Sequence, residues 1–261
     1  MGIFDGVLIC TDLDGTLANG KDINQEDIEA INYFMNNGGL FTLCTGRVIH
    51  YLSDIFELVK PNTYVISLNG STISDLNGEN VLQKSFLQSD YTSLFDTVIK
   101  YSDYINDFFV YYENCTESTK YSPKGYQKSN EKIDTDKRIH KIVFSFNNET
   151  VAEKAEKEAN DLKSTATCCT RSWPTGVELL NSSSTKGAAV RILKQTLGAR
   201  LLICAGDYEN DISMLEEADI GYAVGNAHKK VKDAADKITV SQSECAIAHI
   251  IEDIELFLTN R

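Results

Sequence analysis

The chain has 261 residues, 42% of them hydrophobic and 24% charged, with a formal net charge of −13. That length allows one large domain or two smaller ones, and the composition excludes global disorder. The acidic balance argues against nucleic acid as a partner, because such binding draws its affinity from clustered Lys and Arg. The sequence holds no apolar run long enough to span a membrane and no basic targeting region at its start. We therefore expect a cytoplasmic protein without a membrane partner, and its oligomeric state is left open, a monomer included.

The first part of the chain alternates short apolar runs with an amphipathic helix, which is typical of βαβ units. The predicted elements are a strand at GVLIC, a helix at NQEDIEAINYFMNNGG, and strands at LFTLC and TYVISL. Asn24 is expected to be the N-cap of the helix and Gly38 its end. The third strand ends at Asn69-Gly70, and a hairpin with Asn77-Gly78 at its turn follows.

The middle of the chain, from about residue 86 to 181, has a different order of elements. The predicted elements are a helix at YTSLFDTVIKY, a strand at DFFVYY, a polar loop from Cys115 to Lys137, a strand at HKIVFSF, a helix at ETVAEKAEKEANDL, and strands near TATCCT and GVELL. This order predicts an α+β unit inserted into the first domain. We place one domain at residues 1–81 and 182–261 and the inserted α+β domain at 82–181.

The alternating pattern resumes after the insert. The predicted elements are a helix at STKGAAVRILKQTL, a strand at RLLICAGD and a helix at NDISMLEEA. The fold class is therefore α/β, a doubly wound, Rossmann-like parallel sheet with an inserted α+β domain. The seven cysteines show no C-x-x-C spacing, so we expect reduced thiols, with Cys168 and Cys169 on opposite faces of a strand.

Polar residues follow three of the apolar strands at the point where each strand ends. They are Thr11-Asp12, Thr45-Gly46-Arg47 and Gly206-Asp207. In an open parallel sheet the ligand crevice lies outside the carboxyl ends of the strands. We therefore expect these three segments to converge in one site.

The residue types at these positions indicate phosphoryl chemistry. Asp12 and Asp207 offer the hard oxygen ligands that Mg²⁺ prefers, and Asp211 lies one helical turn on, where it can support them. Lys186, near a helix start, and the Thr45 hydroxyl are donors for an anion such as phosphate. A carboxylate in such a site can also act as a nucleophile and form an aspartyl phosphate.

The motifs DLDGT, TGR, STKG and GDYENDISM, in that order and spacing, resemble the four motifs of the haloacid dehalogenase-like hydrolase superfamily. The large insert between the second and third motifs, with Asn69-Gly70 just before it, resembles the Cof-type phosphatases, which have a large α/β cap. The resemblance covers essentially the whole chain. It implies that Asp12 is the nucleophile and Asp14 the general acid and base, and that Thr45 and Lys186 bind the phosphoryl group.

The same resemblance implies a metal site and further phosphate contacts. Its predicted Mg²⁺ set is Asp12, Asp14 through its backbone carbonyl, Asp207, and Asp211, which orients the metal shell. Asn210 is implied to reach either the phosphoryl oxygens or Asp207. Gly46, Arg47 and Asn69 complete the predicted phosphate site. Arg47 and Asn69 also have structural alternatives. An Arg after a tight turn, such as Arg47, often forms a cap or an ion pair that only supports the fold, and Asn-Gly is a turn signal in its own right.

The expected function is Mg²⁺-dependent hydrolysis of a small phosphorylated metabolite, a sugar phosphate or similar monoester, through an aspartyl phosphate. One alternative is a phosphomutase or phosphotransferase that passes the phosphoryl group to a second hydroxyl. The other is a regulatory protein that keeps the fold and the metal without catalysis. Candidates for substrate contact in the cap are Lys124, Arg138, Arg171 and Trp173, although each residue type is more typical of the surface.

Overall fold

A computed structural model divides the chain into two compact units. The first, which we call the core unit, comprises Met1–Leu82 and Lys186–Arg261, and the second, the inserted unit, is Gln83–Thr185. The structure describes residues 2–113, 118–127, 132–134 and 136–260. Within these ranges no helix combines the length and the apolar character needed to cross a membrane.

The part of the chain before the insert builds one side of the core unit. Its elements are β1 (Val7–Thr11), β2 (Ala18–Asn19), β3 (Asp22–Ile23), α1 (Gln25–Asn36), β4 (Leu40–Leu43), α2 (Ser53–Leu58), β5 (Val65–Ser67), β6 (Thr72–Ser74) and β7 (Asn80–Gln83). Helix α1 starts directly after Asn24, and Gly38 follows it with a φ of 92°, as the capping pattern predicts. The predicted Asn77-Gly78 turn is confirmed between β6 and β7, where Gly78 adopts a φ of 87°.

The inserted unit is an antiparallel sheet with two long helices packed on one face. Its elements are α3 (Gln88–Ile99), β8 (Ile105–Tyr112), β9 (Thr119–Tyr121), α4 (Pro123–Gln127), β10 (Ile139–Phe146), α5 (Glu149–Asn160), β11 (Thr167–Trp173) and β12 (Gly176–Asn181). The strand order is β11-β12-β10-β8-β9. Aromatic side chains fill the space between sheet and helices, with Phe95 of α3 lying 5.5 Å from Phe108 and 5.4 Å from Phe144 between ring centroids.

The prediction of one polar loop from Cys115 to Lys137 is wrong in its described part. Strand β9 and helix α4 lie in this segment, and β9 pairs with β8. The reason is Tyr121, whose ring stacks on Phe108 at 5.1 Å and anchors an otherwise polar run to the aromatic core. The rest of the predicted loop, at 114–117, 128–131 and 135 and so including Cys115, lies outside the described residues.

Arg171 is expected from the sequence either to contact substrate or to lie on the surface, and the surface position is wrong. Arg171 is only 2% exposed, and its Nε lies 3.8 Å from Glu156 of α5. Strand alternation explains this burial, because Arg171 shares a face with buried Cys169, two residues earlier on β11. The half-buried Cys168 points to the other face, as predicted. All six described cysteines are free thiols.

The part of the chain after the insert completes the core unit. Its elements are α6 (Lys186–Leu197), β13 (Leu201–Gly206), α7 (Ile212–Glu217), β14 (Ile220–Ala223), α8 (Lys229–Ala234), β15 (Lys237–Ile238) and α9 (Ala246–Thr259). The parallel sheet has the order β15-β14-β13-β1-β4, and β5 meets the end of β4 through a bridge between Cys44 and Ile66. Strand β1 is buried on both faces, because residues of α1 and α9 pack on one side of the sheet and residues of α6 and α7 on the other.

The strand order reverses direction between β1 and β13. From β1 the chain proceeds outward to β4, and after the insert it returns to β13 on the other side of β1. Ligands of doubly wound sheets bind outside the carboxyl ends of the strands at such a switch point. The residues that follow β1 and β13 therefore lie at the expected position for a ligand site.

Candidate active site

Strand register brings the first two predicted carboxylates together. Thr11 of β1 pairs with Ala205 of β13, so Asp12 and Asp207 both emerge at the same edge of the sheet. The Asp12 amide donates a hydrogen bond to the Ala205 carbonyl at 2.9 Å, which fixes the backbone as it leaves the strand. The predicted convergence of these two strand ends therefore follows directly from parallel pairing.

Three carboxylates lie close together at this edge of the sheet, and the ammonium group of Lys186 pairs with two of them. Oxygens of Asp12, Asp207 and Asp211 all lie within 4.8 Å of one another. The Lys186 Nζ is 2.5 Å from an oxygen of Asp12 and 2.5 Å from an oxygen of Asp211. Lys186 is the first residue of α6 and is buried, so the fold places a cation directly against the predicted nucleophile.

Burial dominates the electrostatics of this cluster. Burial raises the pKa of Asp12 well above its usual value, the nearby carboxylates add to that rise, and Lys186 opposes it. Burial, followed by the charge of Asp211, raises the pKa of Asp207 to about 7. Burial alone would lower the pKa of Lys186, but the carboxylates of Asp12 and Asp211 outweigh it and raise that pKa. Lys186 therefore stays protonated, and its ammonium group is paired with two of the three carboxylates.

The donor set fits a hard divalent cation such as Mg²⁺. All three side chains offer carboxylate oxygens, and a second positive charge would offset the remaining negative charge. One oxygen of Asp211 accepts from Lys186, and the other accepts from the amides of Asp207 at 2.9 Å and Tyr208 at 3.1 Å. Asp211 thus holds the loop after β13 in place, which leaves Asp12 and Asp207 as the side chains best placed to bind a cation.

Two residues that sequence reasoning missed support Asp207. The Thr16 hydroxyl donates a hydrogen bond to Asp207 Oδ1 at 3.0 Å. Gly15 adopts a φ of 86°, and a Cβ at this position would lie 2.4 Å from Asp207 Oδ2. Both belong to the DLDGT motif, so the signal was present, but their contact with a residue almost two hundred positions away is visible only in the fold. Asn226, which donates to the Gly15 carbonyl at 2.8 Å, carries no sequence signal.

Asp14 and Arg47 form a pair of their own. The Asp14 side chain is half exposed and accepts two hydrogen bonds from the Arg47 guanidinium, one from Nε at 2.8 Å and one from Nη2. Arg47 Nη2 also donates to the Gly20 carbonyl at 2.9 Å. The Asp14 carboxylate is not part of the three-carboxylate cluster found among the described residues. Arg47 therefore has the pairing role that the sequence left open beside phosphate binding.

The remaining predicted residues form a connected group next to Thr45. Thr45 is buried, and its hydroxyl oxygen accepts a hydrogen bond from the Arg47 amide at 3.1 Å, which leaves the hydroxyl hydrogen to donate elsewhere. The Asn69 amide donates to the Thr45 carbonyl at 3.0 Å. Asn210 Nδ2 donates to Asn69 Oδ1 at 3.1 Å, and Gly46 lies beside the same Asn69 side chain.

Comparison with known proteins identifies the family. The model for haloacid dehalogenase-like hydrolases matches residues 9–251, nearly the whole chain. The chain belongs to the haloacid dehalogenase-like hydrolase family. The fold class expected from the sequence is confirmed, because the chain has a parallel sheet and an additional antiparallel sheet, and its fold matches those of solved haloacid dehalogenase-like structures.

The curated relatives of the chain are named phosphatases, and a solved structure shares its fold. YxeH of Bacillus subtilis strain 168 is 32% identical over 272 residues, covering 95% of this chain and 98% of YxeH. YcsE of the same organism, named 5-amino-6-(5-phospho-D-ribitylamino)uracil phosphatase, is 29% identical and covers 94% of each chain. The structure of a subclass IIB sugar phosphatase, BT4131, has a TM-score of 0.76 at 21% identity, covering 95% of this chain and 98% of that one. As a haloacid dehalogenase-like phosphatase, the chain is a phosphoric monoester hydrolase.

Proposed function

We propose that the core unit hydrolyses a small phosphorylated metabolite through a phosphoryl group carried on Asp12, with Mg²⁺ bound beside it. The observation that supports this proposal is the contact between Asp12 and the buried Lys186 within the three-carboxylate cluster. A structural role alone does not explain such a cluster, because burying several carboxylates around one lysine costs free energy that an apolar core would not. A site that binds a cation and an anionic phosphoryl group does explain it.

The proposed reaction gives each of these residues a distinct role. An Asp12 oxygen attacks phosphorus while the ester oxygen leaves and takes a proton from Asp14. Asp14 then takes a proton from the water that attacks the phosphoryl group, so that inorganic phosphate leaves and Asp12 is restored. Lys186 and the Thr45 hydroxyl donate hydrogen bonds to the phosphoryl oxygens. Because both carboxylate oxygens of Asp14 accept hydrogen bonds from Arg47, Asp14 must release Arg47 before one of them can donate a proton to the ester oxygen.

The proposed cation site uses Asp12, Asp207 and the backbone carbonyl of Asp14, with Asp211 orienting the loop. Bound Mg²⁺ would neutralise charge between the nucleophile and the phosphoryl group. The raised pKa values of Asp12 and Asp207 support this assignment, since carboxylates that are costly to ionise gain most from a neighbouring cation.

We propose a substrate of the same broad class as those in the relatives' names, a phosphate ester on a hydroxylated or heterocyclic carbon skeleton. The inserted unit is proposed to select the leaving group, with Lys124, Arg138 and Trp173 as the remaining candidates. Arg138 is exposed and donates to the Ser85 hydroxyl at 2.7 Å, and Trp173 is 37% exposed. A cytoplasmic location and the absence of nucleic-acid binding stay predictions.

The experiment that tests this function is a screen of phosphorylated sugars, polyols and nucleotides, with released phosphate as the readout. We expect turnover of at least one metabolite with a kcat/KM above that for p-nitrophenyl phosphate. Transfer of the phosphoryl group to a second hydroxyl, without net phosphate release, would instead identify a mutase or phosphotransferase. No turnover of any ester in the presence of Mg²⁺ would contradict the proposal.

Replacing Asp14 by Asn should slow turnover about 10²–10⁴-fold, which is the usual contribution of a general acid and base. The amide can still accept a hydrogen bond from Arg47, so the local geometry is retained, but it cannot exchange the proton. The measurement is kcat for a metabolite and for p-nitrophenyl phosphate, whose good leaving group needs less protonation. Asp22→Asn, an exposed aspartate in β3, is the matched control and should have wild-type activity. A wild-type rate in Asp14→Asn would remove Asp14 from the mechanism.

Chelation of divalent cations should abolish phosphate release, and added Mg²⁺ should restore it. Ca²⁺ should restore it poorly, because its larger and more flexible coordination shell holds the Asp12 carboxylate less well for attack. The measurement is phosphate release after treatment with excess chelator and replacement of one cation at a time. Full activity in the chelator would exclude the proposed cation site.

A further inference from the structure

Three consecutive residues beside the candidate site adopt left-handed backbone conformations. The φ angles are 51° at Leu68, 55° at Asn69 and 93° at Gly70. Glycine adopts this conformation readily and Asn tolerates it, but a bulky residue such as Leu does so only when the surrounding structure enforces it. Leu68 and Asn69 are both buried. Strain of this kind tends to occur where it holds a functional geometry, so the contacts of this turn are informative.

On one side the turn is bound to the loop that carries Thr45. The Leu68 amide donates to the Arg47 carbonyl at 3.0 Å, and the Asn69 amide donates to the Thr45 carbonyl at 3.0 Å. The Asn69 side chain also packs across Gly46, where a Cβ would lie 3.2 Å from Asn69 Oδ1. The left-handed backbone is what allows both amides and this side chain to face the same loop.

On the other side the turn contacts the elements that carry the remaining predicted phosphoryl contacts. Asn210 Nδ2 donates to Asn69 Oδ1 at 3.1 Å, and helix α6, which begins at Lys186, lies against Leu68–Gly70. Asn210 Oδ1 is buried and has no hydrogen-bond partner among the described residues. The contact with Asn69 is therefore the interaction that fixes the rotation of the Asn210 amide.

We propose that Asn69 is a positioning residue for the phosphoryl site. Its left-handed backbone and its side-chain amide hold the Thr45 loop and Asn210 at a fixed spacing, without contact between Asn69 and the phosphoryl group. This inference rests on the proposed function. It replaces the direct phosphate contact that the sequence predicts for Asn69 with an indirect role through Thr45 and Asn210.

Asn69→Gly tests the proposal, because glycine keeps the left-handed backbone and the approach to Gly46 while it removes the amide group. We expect kcat/KM for p-nitrophenyl phosphate to fall roughly 10–100-fold, since displacements of about 1 Å cost up to 10² in rate. The inhibition constant of inorganic phosphate should rise as well. Asn62→Gly is the matched control. The Asn62 side chain accepts a hydrogen bond from the Phe41 amide and donates one to the Gly39 carbonyl, at the other end of β4. Its loss should lower Tm and leave kcat/KM unchanged.

A double variant that combines Asn69→Gly with Asn210→Ala distinguishes an indirect role of Asn69, through Asn210, from direct contact with the phosphoryl group. Asn69→Gly keeps the backbone hydrogen bonds to the Thr45 loop and removes the side-chain contact with Asn210. The double variant should therefore be no less active than Asn210→Ala alone, because both changes remove the same contact. Losses that multiply, or wild-type kcat/KM in folded Asn69→Gly, would overturn the inference while the proposed function stands. A lower Tm with unchanged kcat/KM would also overturn it, in favour of a purely structural role. If the wild-type protein releases no phosphate from any ester, the proposed function itself fails and this inference fails with it.

Discussion

Replacing Asp12 by Asn is expected to reduce phosphate release roughly 10⁴–10⁶-fold, the range seen when a nucleophile or its activating partner is removed from an enzyme. The amide has nearly the same shape as the carboxylate, but it does not attack phosphorus and it binds a divalent cation weakly. The measurement is a single-turnover and a steady-state assay with the best metabolite from the screen. Asp54→Asn, an exposed aspartate paired with Lys21, is the matched control and should retain full activity.

The same variant should be at least as stable as the wild-type protein. Burial and the neighbouring carboxylates raise the pKa of Asp12, so the charged form disfavours the folded state, and the neutral amide removes that cost. Lys186 keeps Asp211 as a partner at 2.5 Å. A Tm equal to or above that of the wild type, measured without added metal, would agree with a site that sacrifices stability for function. A large fall in Tm would show that Asp12 mainly serves the fold.

Replacing Lys186 by Met is expected to abolish turnover and also to destabilise the core unit. Removing one partner of a buried charge pair costs about 3–5 kcal/mol, because the remaining charge is left without compensation. Here two carboxylates lose their common cation, those of Asp12 and Asp211. Thermal and denaturant unfolding measure this loss directly. Lys194→Met on the same helix, where the lysine is partly exposed and pairs with Asp219, should change stability little.

The destabilisation by Lys186→Met should depend on pH in a defined direction. Lys186 lowers the pKa of Asp12 against the effect of burial, so its removal raises that pKa further. A carboxylate with a raised pKa in the folded state favours unfolding as the pH rises past its unfolded value, which lies at about 4. The difference in unfolding free energy between wild type and variant should therefore be smaller near pH 4 than at pH 8. A difference that does not vary with pH would mean that packing, rather than charge, accounts for the loss.

The sequence predicts the parts of this site that depend on local pattern. Asp12 and Asp207 each follow an apolar strand, and parallel pairing is sufficient to bring their positions together. The sequence does not predict which carboxylate pairs with which cation, because that pairing depends on the directions of side chains that are distant in the chain. Asp14 accordingly pairs with Arg47, outside the buried cluster, although it stands only two residues from Asp12.

Other differences arise where local propensity and the fold disagree. Arg171 is of a type usually found on surfaces, but alternation along β11 directs it toward Glu156 and the helix-covered face of the inserted sheet. Leu68 strongly disfavours the left-handed conformation, so its residue type does not predict that it adopts it. The conformation goes with the hydrogen bonds that the turn makes in the fold, which the sequence does not show. Such a conflict between residue type and structure is expected at functional positions, which is why the turn at Leu68–Gly70 supports an inference that its Asn-Gly pair alone does not.

In the proposed mechanism Asp12 carries the phosphoryl group during turnover. The most direct test is rapid acid quenching of the enzyme with saturating substrate and Mg²⁺, followed by mass spectrometry of its peptides. We expect one phosphoryl group on the peptide that contains Asp12. It should form at least as fast as kcat, be lost on treatment with hydroxylamine, and be absent from Asp12→Asn. A phosphoryl group on a different residue, or a full rate of phosphate release with Asp12 unmodified at every time point, would contradict it.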